Sequence, residues 1–255
     1  MSIAIVTGAS SGLGRAFAQK LSREPGIQEI WAIARREDRL KELGTICACA
    51  VRPIPLDLRE DTSFRTLREL LKQENPDVSV LVCAAGFGKM GNAVEIDPGD
   101  NAAMIDVNCK AAVAVTLLCR PWLRRGSRVI EISSMSAFTP VPGVGVYAAT
   151  KAFLESFSKT IRQEWKQDGI AVTAVCPYWI KDTEFIEKAK TGLPGSWHSF
   201  YLATTTETVA DRALRDSRRN RALSAPGIMA SAAMVGTKLL PDSFVAALAD
   251  RMRRI

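Results

Sequence analysis

The chain has 255 residues, 47% apolar and 24% charged, with a net charge of +7. That is enough apolar material for a sizeable core, and it excludes a disordered or low-complexity chain. Six cysteines with no C-x-x-C pair point to free, buried thiols in a reducing, cytoplasmic setting rather than a disulfide frame or a metal ribbon.

The predicted elements alternate. Residues 1–14 carry no basic n-region and enter a strand at once, so no signal peptide is expected. The strand at 2–7 (SIAIVT) leads through a glycine-rich turn into a helix around 13–23. A second strand spans 28–34 and a third 51–58, followed by the helical run TSFRTLRELLKQ. A fourth covers 78–84, before a long helix near 100–120. A fifth covers 127–134, before a helix at 147–167, and a sixth 170–177. Near-continuous apolar strands between helices describe a parallel sheet covered on both faces. Right-handed crossovers make it a doubly wound α/β sheet of the Rossmann type. With no internal repeat or linker, residues 1–255 read as a single domain.

Residues 178–205 break the alternation and hold Tyr178, Trp179, Phe185, Trp197, Phe200 and Tyr201, six of the 17 aromatic residues. Long insertions are usually functional or disordered, and aromatics argue against disorder. The stretch is read as a substrate lid, the alternative being a loop whose aromatics fill the core. Residues 206–255 form a C-terminal substrate or oligomer segment. Arg212, Arg215, Arg218, Arg219, Arg221, Arg251, Arg253 and Arg254 gather there. A solvated surface is the plain reading. An anionic substrate, a membrane surface or nucleic acid are the sharper ones, and no motif supports nucleic acid. The apolar stretch ALSAPGIMASAAMVG is broken by Pro226 and Gly227 and is too short to cross a bilayer. Helical apolar spacing near 227–249 suits core packing, a dimer contact or a pocket wall, and a membrane contact is not favoured.

The turn TGASSGLGR admits two readings. Gly8-Ala9-Ser10-Ser11-Gly12 fits the elbow that exposes a nucleophilic serine. That arrangement draws its oxyanion hole from a loop preceding the serine, and only nine residues precede Ser10 here. Its base would have to be His198, the one histidine, placed in the presumed lid. The nucleotide reading needs a strand, a glycine turn and a helix, which bring backbone N–H groups and the helix dipole to one point. Gly8 permits the tight turn, Gly12 admits a pyrophosphate, and Gly14 lets helix and strand pack closely.

This T-G-x-x-x-G-x-G spacing resembles the classical short-chain dehydrogenase/reductase family, over about residues 2 to 185. The resemblance implies a nicotinamide dinucleotide held by Gly8, Ser10, Ser11, Gly12, Leu13, Gly14 and Arg15. At the end of the second strand, an acidic residue would bind the ribose hydroxyls of NAD. This chain has Ala34, Arg35 and Arg36 instead, and a guanidinium fork suits the 2′-phosphate of NADP(H). Asp57 matches the family's contact to the adenine amino group, with Leu58 beside it. The family's N-N-A-G stands here as Cys83-Ala84-Ala85-Gly86, which loses both asparagines that tie the strands there. Ala84, Ala85 and Gly86 still offer backbone to the adenosine ribose.

Tyr147 and Lys151, four apart in YAATK, share one helical face. An ammonium near a phenol, like the positive ring of an oxidised nicotinamide, lowers the phenol's pKa and lets it exchange a proton near neutrality. Ser134, at the end of the fifth strand and 13 residues earlier, can bond the substrate oxygen. Asn108 matches the family's helix asparagine, which there holds a water linking the lysine to solvent. Pro177 and Ile180 fit the segment that meets the nicotinamide, whereas Tyr178 replaces glycine and Thr183 comes one place late. No ligand cluster calls for a metal.

The implied function is NADP(H)-dependent interconversion of a ketone or aldehyde and an alcohol. A homodimer or homotetramer through the Tyr147 helix follows from the resemblance. Tyr178, Trp179 and Phe185 join Ser134 and Tyr147 as substrate contacts. The aromatic lid, and a tail resembling relatives that act on steroids and acyl chains, favour a bulky apolar substrate such as a steroid, bile acid or acyl-type carbonyl. The alternative is a non-catalytic protein that binds the dinucleotide and signals through it.

Overall fold

The computed structural model describes residues 2–190, 202–237 and 239–253. Trp197, His198, Phe200 and Tyr201, named above, lie outside the described residues. The first half runs β1 (Ser2–Thr7), α1 (Gly12–Leu21), β2 (Glu29–Ala34), α2 (Glu37–Leu43), β3 (Ala50–Pro55), α3 (Asp61–Glu74) and β4 (Asp77–Cys83). The second half runs α4 (Pro98–Ile105), a π-helical turn (Asp106–Ala111), α5 (Ala112–Cys119), β5 (Leu123–Ile132), α6 (Gly145–Glu164) and β6 (Ala171–Val175). It ends with α7 (Phe185–Ala189), α8 (Thr206–Arg218), β7 (Leu223–Ser224), α9 (Ile228–Gly236) and α10 (Asp242–Arg253).

All strand pairs are parallel, in the order β3-β2-β1-β4-β5-β6-β7. The order reverses between β1 and β4, so the connections leave in opposite directions and a crevice opens at the carboxyl ends of those strands. Side chains alternate across the sheet. Ile3, Ile5, Trp31 and Ile33 face α3, α5 and α6, where Leu71, Val115 and Leu154 meet them. Ala4, Val6, Ile30 and Ala32 face α1, α2 and α8, packing on Phe17, Leu40 and Val209. This is the two-faced burial that the apolar strands called for.

Several details differ from the sequence reading. β3 stops at Pro55 rather than 58, which leaves Asp57 in a turn. β5 begins at Leu123, but its register against β4 jumps from Leu123 to Arg128 while β4 advances only from Val78 to Val80. The regular part of the strand therefore starts one residue from the predicted place, and the residues before it form a bulge. The two-residue β7 was not predicted, being too short to leave a period.

The run Pro98–Trp122 is long and apolar enough to cross a membrane by length and composition. Here Met104, Ala112, Val115 and Cys119 are buried against the protein, and Asn108 sits in its middle. The C-terminal arginines are in part structural: Arg218 pairs with Glu24, and Arg212 and Arg221 flank Asp216.

Candidate active site

A cavity of about 960 Å³ follows the carboxyl edge of the sheet from the β1–α1 turn to α9 and α10. One end is the turn Gly8, Ser10, Ser11, Gly12, Leu13 and Gly14. A Cβ on Gly14 would stand 2.3 Å from the Gly8 carbonyl oxygen, and one on Gly8 only 2.8 Å from the Ala84 carbonyl. Turn, helix and β4 close up because those positions carry no side chain, and Gly8 takes a left-handed φ of +68°. The first N–H groups of α1 have no partner inside the helix and point the positive end of its dipole toward the turn. This cradle fits a pyrophosphate. Thr183, one place late in the chain, still reaches it: its Cγ2 lies 3.3 Å from where a Gly12 Cβ would be.

Beyond the turn, Arg35, Arg36, Asp57 and Leu58 line the cavity. Arg36 is held by Glu184 at 3.2 Å and reaches the Ser10 hydroxyl at 3.4 Å. Arg59 grips Asp57 at 2.5 Å and, with smaller help from Arg35, holds its carboxyl below the usual range. Arg35 itself is exposed and has no ion pair among the described residues. Arg15 does not line the cavity. Its guanidinium meets Glu42 of α2 at 3.2 Å, a carboxylate that sequence order hides from it.

At the other end of the sheet edge the catalytic candidates converge. Ser134, two residues past β5, accepts a hydrogen bond from Ser136 N at 3.2 Å, and its hydroxyl acts to lower the pKa of the Tyr147 phenol. Tyr147 and Lys151 are one turn apart on α6, with the Lys151 ammonium 5.6 Å from the centre of the phenol ring. Lys151 Nζ donates to the Ile132 carbonyl at 2.8 Å, and the Lys151 carbonyl accepts from Ser133 Oγ at 2.7 Å, so β5 fixes the lysine at both ends. Burial lowers Lys151 to about 8, opposed by Cys109, Glu131 and Cys176.

The expectation of an acidified phenol is corrected here. Burial pushes Tyr147 up to about 12, and the Ser134 hydrogen bond pulls only partly back. Lys151 lies over the ring and donates one hydrogen bond to the Ile132 carbonyl, and burial is the largest influence on the phenol in this state.

Asn108 sits fully buried in the π-helical turn, a distortion common at functional sites. Its amide donates to the Phe87 carbonyl (2.9 Å) and Thr150 Oγ1 (3.0 Å), and its oxygen accepts from Phe87 N (3.0 Å). It is not on the cavity wall. It clamps the loop after β4 to the helix that carries Tyr147 and Lys151. The lost asparagines after β4 have substitutes that the sequence did not announce. Thr7 Oγ1 accepts from Ala85 N at 3.0 Å and donates toward the Val82 carbonyl at 3.5 Å. Cys83, Thr116 and Glu131 form a buried polar chain at the same strand ends.

Ala84, Ala85, Gly86, Pro177 and Ile180 line the cavity between its two ends. Past Tyr147 the walls turn apolar: Tyr178, Trp179 and Phe185, then Met229 of α9, Leu240 in the turn that follows and Leu248 of α10. Phe185 packs against Tyr147, with ring centres 5.5 Å apart and planes tilted by 55°. Gly88, missed in the sequence, makes this possible. A Cβ there would come within 2.8 Å of Tyr147 and 2.9 Å of Phe185. The base of 178–205 is clasped, since Thr204 N donates to the Trp179 carbonyl and Lys181 N to the Thr204 carbonyl, while Asp182 caps Thr206 N at 2.8 Å.

A family model described as short chain dehydrogenase matches residues 2–193. Sulfoacetaldehyde reductase 2 of Chromohalobacter salexigens is 32% identical over 209 residues, 80% of this chain and 82% of that protein. An NADP-dependent 3-hydroxy acid dehydrogenase of Escherichia coli is 29% identical over 217 residues, 82% and 85% of the two chains. Among solved structures, a 7β-hydroxysteroid dehydrogenase superposes with a TM-score of 0.81 at 19% identity, over 98% of this chain and 96% of that one. The chain belongs to the short-chain dehydrogenase family, oxidoreductases that bind a nicotinamide dinucleotide.

Proposed function

We propose that the protein is an NADP(H)-dependent oxidoreductase that interconverts a ketone or aldehyde and an alcohol on a bulky, apolar substrate. One observation carries the reading. A single cavity has a glycine cradle and a free arginine at one end and Ser134, Tyr147 and Lys151 at the other. The bound dinucleotide supplies or takes the hydride. Arg35 meets its 2′-phosphate, and Asp57 and Leu58 face its adenosine. The E. coli relative that is named for NADP agrees with that choice. Lys151 holds its nicotinamide ribose, and Pro177 and Ile180 stand beside the ring.

Ser134 fixes the substrate oxygen by hydrogen bond, and Tyr147 exchanges a proton with that oxygen. A phenol raised to about 12 is fully protonated at neutral pH, which suits it to give its proton during carbonyl reduction. Trp179, Tyr178 and Phe185 exclude water and take the apolar body of the substrate, with the 178–205 segment as lid. We also infer that copies associate through the sheet face carrying α4, α5 and α6, where Ile105, Leu117 and Phe153 are about half exposed.

NADPH oxidation across a panel of steroid, acyl and small ketones tests the proposal. Tyr147→Phe should cut turnover by on the order of 10²–10⁴-fold while NADPH still binds. Turnover that survives Tyr147→Phe removes Tyr147 as the acid. NADPH binding with no turnover on any carbonyl favours a sensor.

A further inference from the structure

Glu131 lies on β5 with no solvent exposure, two residues before the sheet edge where Ser133 and Ser134 begin the site. One carboxylate oxygen accepts from Thr116 Oγ1 of α5 at 2.6 Å. The other has no hydrogen-bond partner. Across the strand pair it stands opposite Cys83, and its other strand neighbour is Ala174. An ionisable side chain is costly to leave there unless something answers its charge.

The groups that face it come from every packed element. β4 brings the Cys83 thiol. α5 brings Thr116 and the Cys119 thiol. α6 brings the Lys151 ammonium. Both thiols are pushed well up by burial and stay neutral. Lys151 is the one basic group acting on Glu131 among the described residues, and it is anchored on the carbonyl of the very next residue, Ile132.

We propose that Glu131 is a positioning residue for the reaction: its buried carboxylate, aimed by Thr116, keeps the ammonium of Lys151 charged over the Tyr147 ring. This rests on the reading of Tyr147 and Lys151 given above. Burial raises Glu131 to about 7 and lowers Lys151 to about 8, and the opposite charge of each offsets part of that cost for the other. Among the groups that hold Lys151 up, Cys109 comes first, then Glu131 and Cys176, and Glu131 is the one carboxylate. At Cys83, where the family's pattern carries an asparagine, this chain instead joins the Cys83–Thr116–Glu131 chain. The strand ends are thereby tied to the lysine's charge.

Glu131→Gln keeps the shape and still accepts from Thr116. In the cofactor-free protein, a ¹⁵Nζ lysine titration by NMR, with Lys151 identified by its loss in Lys151→Met, reads the pair without turnover. Glu131→Gln should lower the Lys151 midpoint by roughly one pH unit. It should also move the alkaline limb of kcat/KM for carbonyl reduction to lower pH by a similar step. The reciprocal measurement follows Glu131 by its protonated-carboxyl infrared band, which Lys151→Met should carry to higher pH. If Glu131→Gln does not fold, this second measurement decides. A Lys151 midpoint unmoved in Glu131→Gln, or a Glu131 band unmoved in Lys151→Met, overturns the proposal. A coupled pair in a protein that reduces no carbonyl would contradict the enzyme reading and leave the pair standing.

Discussion

The two halves of the cavity are built differently. The half under β1, β4 and β5 is made of backbone and short side chains locked by buried hydrogen bonds: Thr7 to Ala85, Asn108 to Phe87, Lys151 to Ile132. The half under α7, α9 and α10 is made of large apolar side chains. In α9, Ala230 alone is fully buried, and Met229, Ala232 and Ala233 of that helix line the cavity together with Val245 and Leu248 of α10. Fixed polar geometry serves a ligand that must always sit the same way. Exposed apolar surface serves one recognised by bulk and shape. The contrast agrees with the proposed function, in which the dinucleotide is the constant partner of the first half and the substrate the variable one of the second.

Substitutions in the two halves should separate cleanly. Arg35→Ala should weaken NADPH by roughly 10- to 100-fold, the worth of a charge-assisted phosphate contact, and leave NADH and ketone KM nearly untouched. Equal losses for both dinucleotides in fluorescence titrations would remove Arg35 from the 2′-phosphate. Trp179→Ala should raise KM for bulky ketones by about tenfold through lost apolar contact, with NADPH affinity unchanged. An effect confined to the dinucleotide would undo the division.

Much of the first half was legible because its chemistry is local. Three glycines within seven residues, Tyr147 and Lys151 one helical turn apart, and Ser134 at a strand end all leave spacings that survive without a structure. What escaped was tertiary. Glu42 capturing Arg15, Thr7 standing in for absent asparagines, and Glu131 finding Lys151 join residues 27, 78 and 20 positions apart, through Thr7 to Ala85 in the second case. Gly88 escaped because it matters only by what α6 and α7 press against it. The phenol was misjudged for a related reason: spacing shows that an ammonium is near, while burial, the largest influence on the phenol, has no sequence signature.

An ion pair that bridges the halves sets the smallest effect. Glu184, just before α7, pairs with Arg36 after β2 and with Lys188. Both Arg36 and Glu184 are more than a third exposed, so the pair is weak. Glu184→Gln should free Arg36 and tighten NADPH by about two- to threefold, with a comparable change in ketone KM. A change in neither, measured side by side, would mean that the halves do not communicate through this pair.

The most direct measurement uses NADPH deuterated at nicotinamide C4 on its transferable face, with mass spectrometry of the product from a bulky ketone that the protein accepts. The account predicts one deuterium on the carbinol carbon of the alcohol, and none formed by Tyr147→Phe under the same saturation with dinucleotide. NADPH bound in the cavity with no deuterium delivered to any carbonyl would contradict it.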